Sequence, residues 1–167
     1  MKLEYAIDKA YKELKKNNIK SALLDSELLL SKVLNKEREF IILNSEQKIN
    51  KKDYYYFQKL IYERSKGKPI AYLTKKKFFW KYEFEINDKV LIPRPDTEII
   101  IEQVLNLYKN KNNIIFLDIG VGSGCILLSI LKERKDFKAT GIDISKDALK
   151  LCNTIAYKLG VKNRISL

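Results

Sequence analysis

The sequence contains no histidine, and only two cysteines, Cys125 and Cys152, occur among its 167 residues. Without an imidazole the chain has no histidine general base, no histidine-containing nucleophile triad and no imidazole metal ligand. Two thiols are too few for a disulfide framework or for a zinc site of four sulfurs. We therefore expect both cysteines to be small buried hydrophobic residues in a reducing compartment, and no metal site.

Long apolar segments are also absent. No run approaches the roughly 18–20 residues that span a bilayer, and charged residues interrupt residues 1–11, where a signal peptide would have its apolar core. With 46% hydrophobic and 32% charged residues, the composition is typical of a soluble globular protein. These features predict a cytoplasmic protein without a membrane partner.

Negative charge is scarce relative to positive charge. The chain has 33 Lys and Arg residues against 21 Asp and Glu residues, which gives a formal net charge of +12. Most of the basic residues are lysines spread along the whole chain, which favours a generally solvated surface. A partner that is acidic or contains RNA is the alternative interpretation, because clustered lysines neutralise phosphates.

Residues 1–67 show helical periodicity and predict a small helical bundle. Apolar residues recur at spacings of three and four from Leu3 to Leu14, which indicates a first helix with one buried face. A second helix is expected after Ser21, and a third is expected to begin after Asn50 and to end at Gly67. The segment 40–43 is a further short helix or turn. In the second helix the residues predicted to be buried are Leu24, Leu28 and Val33 or Leu34.

The hydrophobic period changes to two after Pro69. Alternation of apolar with charged residues predicts a half-buried strand or hairpin, and we assign 68–92 as a β-hairpin linker between two domains. Packing within the linker is the favoured role of its aromatic residues, rather than stacking on nucleic-acid bases. The alternating apolar residues are Phe78, Trp80, Tyr82, Phe84 and Ile86.

Strands and helices alternate in residues 93–167, which predicts a parallel sheet with right-handed crossovers. A helix is expected to open at Pro95 and Asp96, and the apolar run 114–118 is expected to be a buried strand. The remaining predicted elements are a helix over 125–134, a strand over 139–143, a helix over 145–159 and the opening of a third strand at 165–167.

A glycine-rich loop between a predicted strand and helix is the sharpest local signal. Residues 118–124 read D-I-G-V-G-S-G, and Asp143 follows at the end of the next strand, where an acidic side chain can accept both hydroxyls of a ribose. A dinucleotide fingerprint would need glycine in place of Cys125, and no lysine follows Gly124 as a P-loop requires. The pattern favours S-adenosylmethionine, and a loop that merely turns the chain is the alternative.

The order of motifs resembles the HemK/PrmC family, the peptide-chain release factor glutamine methyltransferases. The resemblance rests on I-P-R-P-D-T-E at 92–98, on L-D-I-G-V-G-S-G at 117–124 and on G-I-D at 141–143. In the front half, G-K-P-I-A-Y-L-T at 67–74 and the pair Phe79-Trp80 stand in the family's order, and so do Asp25, Leu28, Leu29 and Leu34.

This resemblance implies a fold, a cofactor and a reaction. The fold is a helical release-factor-binding domain at 1–67, the hairpin linker, and at 93–167 the first part of a Rossmann-like class I methyltransferase domain. The reaction is methyl transfer from S-adenosylmethionine to the side-chain amide nitrogen of the glutamine in the Gly-Gly-Gln loop of bacterial or organellar release factors. The residues implied in cofactor binding are Gly120, Val121, Gly122, Ser123, Gly124 and Asp143.

The resemblance also implies that the turn at 93–98 walls the cofactor pocket through Pro93, Arg94, Pro95, Thr97 and Glu98. A salt-bridged scaffold of this turn is the alternative role for Arg94 and Glu98. The chain departs from the family where Lys75 and Lys81 stand in place of frequent glycines, and where Ile155 replaces a frequent asparagine.

The family's Asn-Pro-Pro-Tyr motif, which holds the glutamine amide, does not occur in residues 1–167. We therefore assign no catalytic residue, and we expect the 167-residue chain to be inactive, with an apolar sheet edge and face uncovered. Three other functions stay open. The first is a related methyltransferase acting on another amide or on a nucleic-acid amino group, and the second is a noncatalytic basic module that binds RNA or a translation factor. The third, which Cys125 disfavours because it interrupts the glycine fingerprint, is a nicotinamide-dependent dehydrogenase.

Overall fold

The computed structural model describes all 167 residues, which form two compact units, Met1–Thr74 and Lys75–Leu167. The division runs through the segment 68–92 that the sequence predicts as a separate linker. Residues 70–74 form a short helix that packs on the second and fourth helices of the first unit. The hairpin packs within the second unit instead, because it has an apolar side to bury there.

The first unit is a bundle of five helices, of which the periodicity predicts three and a further short helix or turn at 40–43. Asn50 begins the fourth helix by accepting a hydrogen bond from the backbone N–H of Asp53 at 2.8 Å, and Gly67 follows the helix with a left-handed φ of +92°. The core contains Leu3, Leu14, Leu29, Leu30, Ile41 and Phe57. The helices are α1 (Leu3–Lys16), α2 (Ala22–Leu34), α3 (Arg38–Leu43), α4 (Lys51–Ser65) and α5 (Ile70–Thr74).

The predicted buried face of α2 is wrong. Leu24 is exposed and Leu28 is only partly buried, whereas Asp25 and Ser26 are buried. The reason is a polar pair in the bundle: Arg64 of α4 donates a hydrogen bond from Nε to Oδ2 of Asp25 at 2.7 Å. A carboxylate with such a partner can lie inside, so the apolar pattern alone points to the wrong side of the helix.

The second unit contains a hairpin and a parallel three-stranded sheet in the order β3-β4-β5. Pro95–Thr97 form a 3-10 turn before α6, as the proline at the helix start predicts, and Lys162–Arg164 form another before β5. The elements are β1 (Lys76–Phe79), β2 (Tyr82–Glu85), α6 (Glu98–Leu107), β3 (Ile115–Ile119), α7 (Cys125–Glu133), β4 (Lys138–Ile142), α8 (Lys146–Lys158) and β5 (Ile165–Ser166).

The hairpin forms as expected, but its apolar face differs from the prediction on β1. Phe79 is fully buried while Phe78 is 66% exposed. The two-residue turn places Phe79 opposite Tyr82, so Phe79 shares a face with Tyr82 and Phe84. The rings of Phe79 and Phe84 meet edge to face, with centroids 6.1 Å apart. If the alternation is continued through the turn, it therefore predicts that Phe78 is buried, whereas the buried residue is Phe79.

The central sheet is covered on one face only. Leu117 is paired in register with Thr140 and Ile119 with Ile142, so these residues share a face. The three hydrophobic side chains of β3 on that face, Ile115, Leu117 and Ile119, are all more than half exposed. The prediction that this strand is buried is therefore wrong, and the expectation of an uncovered apolar face is confirmed. On the other face, α7 packs on β4.

None of the helices combines the length and the apolar character that crossing a lipid bilayer requires.

Candidate cofactor site

The glycine loop lies between β3 and α7, at the carboxyl end of the parallel sheet. The backbone N–H groups of Gly120 and Val121 both donate to the carbonyl of Ile142, at 2.8 and 3.0 Å. These bonds hold the loop beside the end of β4. Ligand sites of open α/β sheets lie at this edge, because loops diverge there and helices begin.

The three glycines of the loop all have left-handed backbone angles, with φ of +79° at Gly120, +55° at Gly122 and +78° at Gly124. A side chain would be strained at each of them. They differ in their surroundings, however. A Cβ on Gly120 would meet nothing within 4 Å, whereas one on Gly124 would lie 2.5 Å from Sγ of Cys152. The first two glycines therefore leave room for a ligand, and the third allows α8 to pack closely.

Asp143 lies directly against this loop. Its Oδ2 accepts the backbone N–H of Gly122 at 2.9 Å, and its Oδ1 accepts the backbone N–H of Ser145 at 2.9 Å. Each carboxylate oxygen can accept a second hydrogen bond, so both retain a free lone pair. The structure thus brings together the glycine loop and the acidic residue that the sequence selects at a distance of about twenty residues.

Val121 and Ser123, the other two predicted loop residues, have buried side chains. Cγ2 of Val121 lies 3.0 Å from the position that a Cβ on Gly141 would take, so Val121 packs over β4. Because their side chains are buried, these two residues can contact a ligand only through their peptide groups.

The thiols near the loop are protonated. Burial raises the pKa of Cys125 to about 11, and burial followed by the charge of Asp118 raises the pKa of Cys152 to about 12. Cys152 is fully buried, as predicted, whereas Cys125 is only partly buried. Neither thiol is activated as a nucleophile at neutral pH, because the thiolate is the reactive form.

Asp118 is a site residue that the sequence reasoning did not assign. Burial raises its pKa, and the negative charge of Asp143 raises it further. The carboxylate therefore lies partly buried in the candidate site and near Asp143. Its position at the end of an apolar strand, directly before the glycines, is the signal that could have identified it.

In the turn at 93–98, Glu98 supports the hairpin through a hydrogen bond and not through a salt bridge. Oε1 of Glu98 accepts the backbone N–H of Trp80 at 2.8 Å, and Trp80 has a left-handed φ of +56°. Glu98 therefore stabilises the strained turn of the hairpin. Arg94 is exposed and forms no ion pair, so the salt-bridged role does not apply to it. Pro93 is buried, whereas Pro95 is exposed and Thr97 partly buried.

A second carboxylate, Glu133 at the end of α7, binds the same hairpin. It accepts hydrogen bonds from Trp80 Nε1 at 2.9 Å, Lys81 Nζ at 3.0 Å and the Tyr82 hydroxyl at 3.1 Å. Burial alone would raise the pKa of Glu133, but these three donors outweigh it and lower the pKa. Burial, with the charge of Glu133 added, raises the pKa of Tyr82.

Lys75 and Lys81, which replace frequent glycines, behave differently. Lys75 takes the left-handed conformation of a glycine, with φ of +62°, whereas Lys81 does not and Trp80 takes that role in the turn. No group of three or more carboxylate and thiol side chains lies close enough together to hold a metal ion.

Comparison with known proteins finds a matching family model for each of the two units. Residues 5–74 match the family model of the PrmC N-terminal domain, and residues 109–166 match that of a methyltransferase domain. The first match ends at the boundary between the two units. The second covers the glycine loop, Asp143 and all three parallel strands.

Curated relatives extend this likeness over nearly the whole chain. A release factor glutamine methyltransferase of Leptospira interrogans is 42% identical over 92% of this chain and 54% of the relative. One of Clostridium acetobutylicum is 39% identical over 100% of this chain and 59% of the relative. The chain thus spans somewhat more than half the length of these relatives. A solved structure, a SAM-dependent methyltransferase of Geobacter sulfurreducens, has a partial likeness: 23% identity, 48% of this chain, 30% of that chain and a TM-score of 0.37.

The parallel strands, the glycine loop and the strand-end carboxylate define the second unit as part of a Rossmann-like methyltransferase domain. Residues 5–74 match the PrmC N-terminal domain, and the curated relatives are release factor glutamine methyltransferases. The resemblance of the chain to the HemK/PrmC family is therefore confirmed.

Proposed function

We propose that this chain supplies the cofactor side of a methyltransferase that transfers a methyl group from S-adenosylmethionine to the side-chain amide of the glutamine in the Gly-Gly-Gln loop of release factors. The observation that carries the proposal is the hydrogen bond between Gly122 and Asp143, which joins an open glycine loop to a strand-end carboxylate. The names of the curated relatives support the choice of reaction and acceptor.

The residues present fit this cofactor. Gly120 and Gly122 leave the open side of the loop free of side chains, and the backbone of 120–124 would contact the methionine part. Asp143 would accept the ribose hydroxyls through the lone pairs that Gly122 and Ser145 leave free. When bound, the cofactor supplies an electrophilic methyl group on a sulfonium. The chain's own task is to hold that group in one orientation and to exclude water from it.

The turn at 93–98 is proposed as a wall of the same pocket. It precedes α6, which packs on α7, the helix that follows the glycine loop. In this role Pro93, Pro95 and Thr97 shape the wall, Arg94 offers an unpaired guanidinium, and Glu98 fixes the hairpin turn behind it.

The acceptor needs further groups. An amide nitrogen is a poor nucleophile because its lone pair is delocalised, so hydrogen-bond acceptors have to orient its N–H groups toward the methyl donor. Residues 1–167 contain no Asn-Pro-Pro-Tyr sequence for this purpose. We expect this polypeptide on its own to leave the glutamine unmethylated. The helical first unit is proposed to help hold the release factor.

Cofactor affinity is tested by calorimetry on Asp143→Asn and Asp143→Ala. Loss of a charge-assisted hydrogen bond should weaken S-adenosylmethionine binding by about 1.5–3 kcal/mol. Asn keeps a carbonyl acceptor for Gly122 or Ser145, so it separates the lost charge from a loosened loop. Asp88→Asn, an exposed carboxylate outside the site, is the matched control. Unchanged affinity in both Asp143 variants would remove Asp143 from the site.

The reaction is tested with labelled S-adenosylmethionine and a release factor. The 167-residue chain should give no labelled glutamine, whereas the chain extended through an Asn-Pro-Pro-Tyr segment should label it. Turnover by residues 1–167 alone would overturn the assignment of the acceptor site and direct attention to Arg94, Glu98 and the hairpin.

A further inference from the structure

One helix of the first unit carries an exposed stripe of alternating lysines and tyrosines. Five exposed residues lie along one side of α4 and at its C-cap: Lys52, Tyr55, Lys59, Tyr62 and Lys66, at successive spacings of three and four. The buried residues Phe57, Leu60 and Ile61 lie on the opposite side of the helix. We call these five exposed residues the lysine–tyrosine stripe.

The positive charge of the stripe is not neutralised within the protein. None of its three lysines forms an ion pair. Two carboxylates are near in sequence, but both are engaged elsewhere: Asp53 with Asn50, and Glu63 with Lys68 at 2.5 Å. The stripe therefore presents three lysines without an ion-pair partner, each seven residues and so about 10 Å from the next along the helix.

The tyrosines of the stripe are unusually accessible. Tyr55 is 74% exposed and Tyr62 is 62% exposed, and no packing inside the bundle accounts for their outer ring surfaces. Nζ of Lys66 lies 5.2 Å from the ring centroid of Tyr62, so cation and ring already form a pair on the surface. Each ring stands between two lysines along the helix.

We infer that the lysine–tyrosine stripe of α4 is a binding surface for single-stranded nucleic acid. A single strand repeats a negative phosphate and a planar base along its length, which matches cations alternating with exposed rings. An acidic polypeptide would satisfy the lysines, but it offers no repeated flat surface to the two rings. The inference concerns a surface outside the cofactor site, and it does not depend on the proposed methyl transfer.

The charge of the stripe is tested by binding of fluorescein-labelled 12-nucleotide oligouridylate to the 167-residue chain between 50 and 200 mM salt. Each phosphate contact contributes about 0.7 to the salt slope for a single strand. K52Q/K59Q/K66Q should therefore reduce the slope by about 2 and weaken binding at least tenfold at low salt. K109Q/K111Q/K150Q removes the same charge from exposed positions of the second unit and should leave the slope unchanged.

The rings are tested separately with Y55L/Y62L, which keeps the charge. This variant should retain the salt slope and bind about tenfold or more weakly, since stacking adds to affinity without releasing ions. All the substituted side chains are exposed, so an unchanged helical circular dichroism signal is expected. Oligothymidylate in place of oligouridylate distinguishes DNA from RNA as the natural strand.

Three results would overturn the inference. The first is absence of binding at 50 mM salt. The second is an equal loss of slope in the control triple variant, which would assign the binding to general surface charge. The third is displacement of the oligonucleotide by oligoglutamate of equal charge, together with full binding by Y55L/Y62L. That pair of results would identify an acidic polypeptide as the partner.

Discussion

The two units differ in what they bury and what they expose. The first unit buries a carboxylate, Asp25, and pairs it with Arg64 of the neighbouring helix. The second unit exposes an apolar row on its sheet, where Ile115, Leu117 and Ile119 are 75%, 54% and 76% exposed. In one unit a polar group lies inside, and in the other an apolar strand faces water on one side.

The difference follows from geometry. Helices in a bundle surround one core, so each needs a single buried face, and a polar residue on that face is tolerated when a partner is in reach. A parallel sheet has two apolar faces and needs a layer on each. Here α7 packs on the face that includes Ala139 and Gly141, and the opposite face carries the exposed row. A helical bundle can therefore bury its apolar surface with its own helices, whereas a parallel sheet needs a further layer on its second face.

The largest effect is expected at the buried pair of the first unit. Asp25→Ala should lower the free energy of unfolding of that unit by about 3–5 kcal/mol, because the partly buried guanidinium of Arg64 then lacks its charge partner. Chemical denaturation followed by helical circular dichroism measures the change. The surface pair Asp8 and Lys12 is the control, and Asp8→Ala should cost no more than about 0.5 kcal/mol.

The double variant D25L/R64M sharpens this test. Replacing both charges by apolar side chains removes the unpaired ion, so most of the lost stability should return. If the single and double variants are equally unstable, the shape of the Asp25 side chain matters more than its charge, and the account of the buried face of α2 would fail.

The second-largest effect on stability should distinguish Gly124 from Gly122. Gly124→Ala should destabilise the second unit by about 2–4 kcal/mol, because it adds backbone strain and places a Cβ against Cys152 and Leu128. Gly122→Ala should cost only the strain, about 1–2 kcal/mol, because the space around it is open. Thermal unfolding measures both. Equal losses would mean that the packing around Gly124 is adaptable.

Gly122→Val tests the open space at Gly122 through the affinity for S-adenosylmethionine. A β-branched side chain would occupy the open side of the loop, so affinity for S-adenosylmethionine should collapse while the helical first unit stays folded. Loss of the first unit's helical signal as well would show that Gly122 has a structural role beyond the loop.

Most of the fold was predictable, and the exceptions have local causes. Periodicity identified α1, α4, α7 and α8 because each has one apolar face, and turn residues marked their ends. It missed α5, which is too short for a pattern. It failed at α2 and β1, where the Asp25 and Arg64 pair and the two-residue turn decide which side is buried.

The glycine loop and Asp143 of the candidate site could be predicted from the sequence, but the hydrogen bonds that hold the neighbouring segments could not. Spacing related the glycine loop to Asp143, because strands in a parallel sheet end at the same edge. The carboxylates of Glu98 and Glu133 bind N–H and O–H groups distant in sequence, such as the backbone N–H of Trp80. No sequence pattern records such contacts, since a carboxylate in a helix normally indicates a solvated face.

A smaller effect is expected at Glu133. Glu133→Ala should destabilise the hairpin by about 1–2 kcal/mol through the loss of its three hydrogen bonds, and Glu133→Gln should cost less because it keeps acceptor capacity. Because the folded-state pKa is lowered, the ionised carboxylate stabilises the hairpin above the ordinary glutamate pKa of about 4.3, and this contribution is lost as the pH falls through the lowered value.

Trp80, the single tryptophan, reports this change directly because its indole donates to Glu133. Its fluorescence should change as the pH is lowered from 7 to 3, and that change should be absent in Glu133→Gln. A transition of the same size and midpoint in Glu133→Gln would assign it to another group.

The smallest effect on stability, and the sharpest test of the contrast between the units, concerns the exposed apolar row of β3. Thr keeps the β-branched shape that strands favour, so I115T/I119T should change the free energy of unfolding by about 0.5 kcal/mol or less. The same change removes two large apolar side chains from a continuous exposed surface, so the protein concentration at which light scattering detects self-association should rise. I42T/L43T, which removes two exposed apolar side chains of the first unit, is the matched control and should raise that concentration less. An equal gain in both variants would mean that exposed apolar residues act singly, and that the uncovered sheet face has no special role in association.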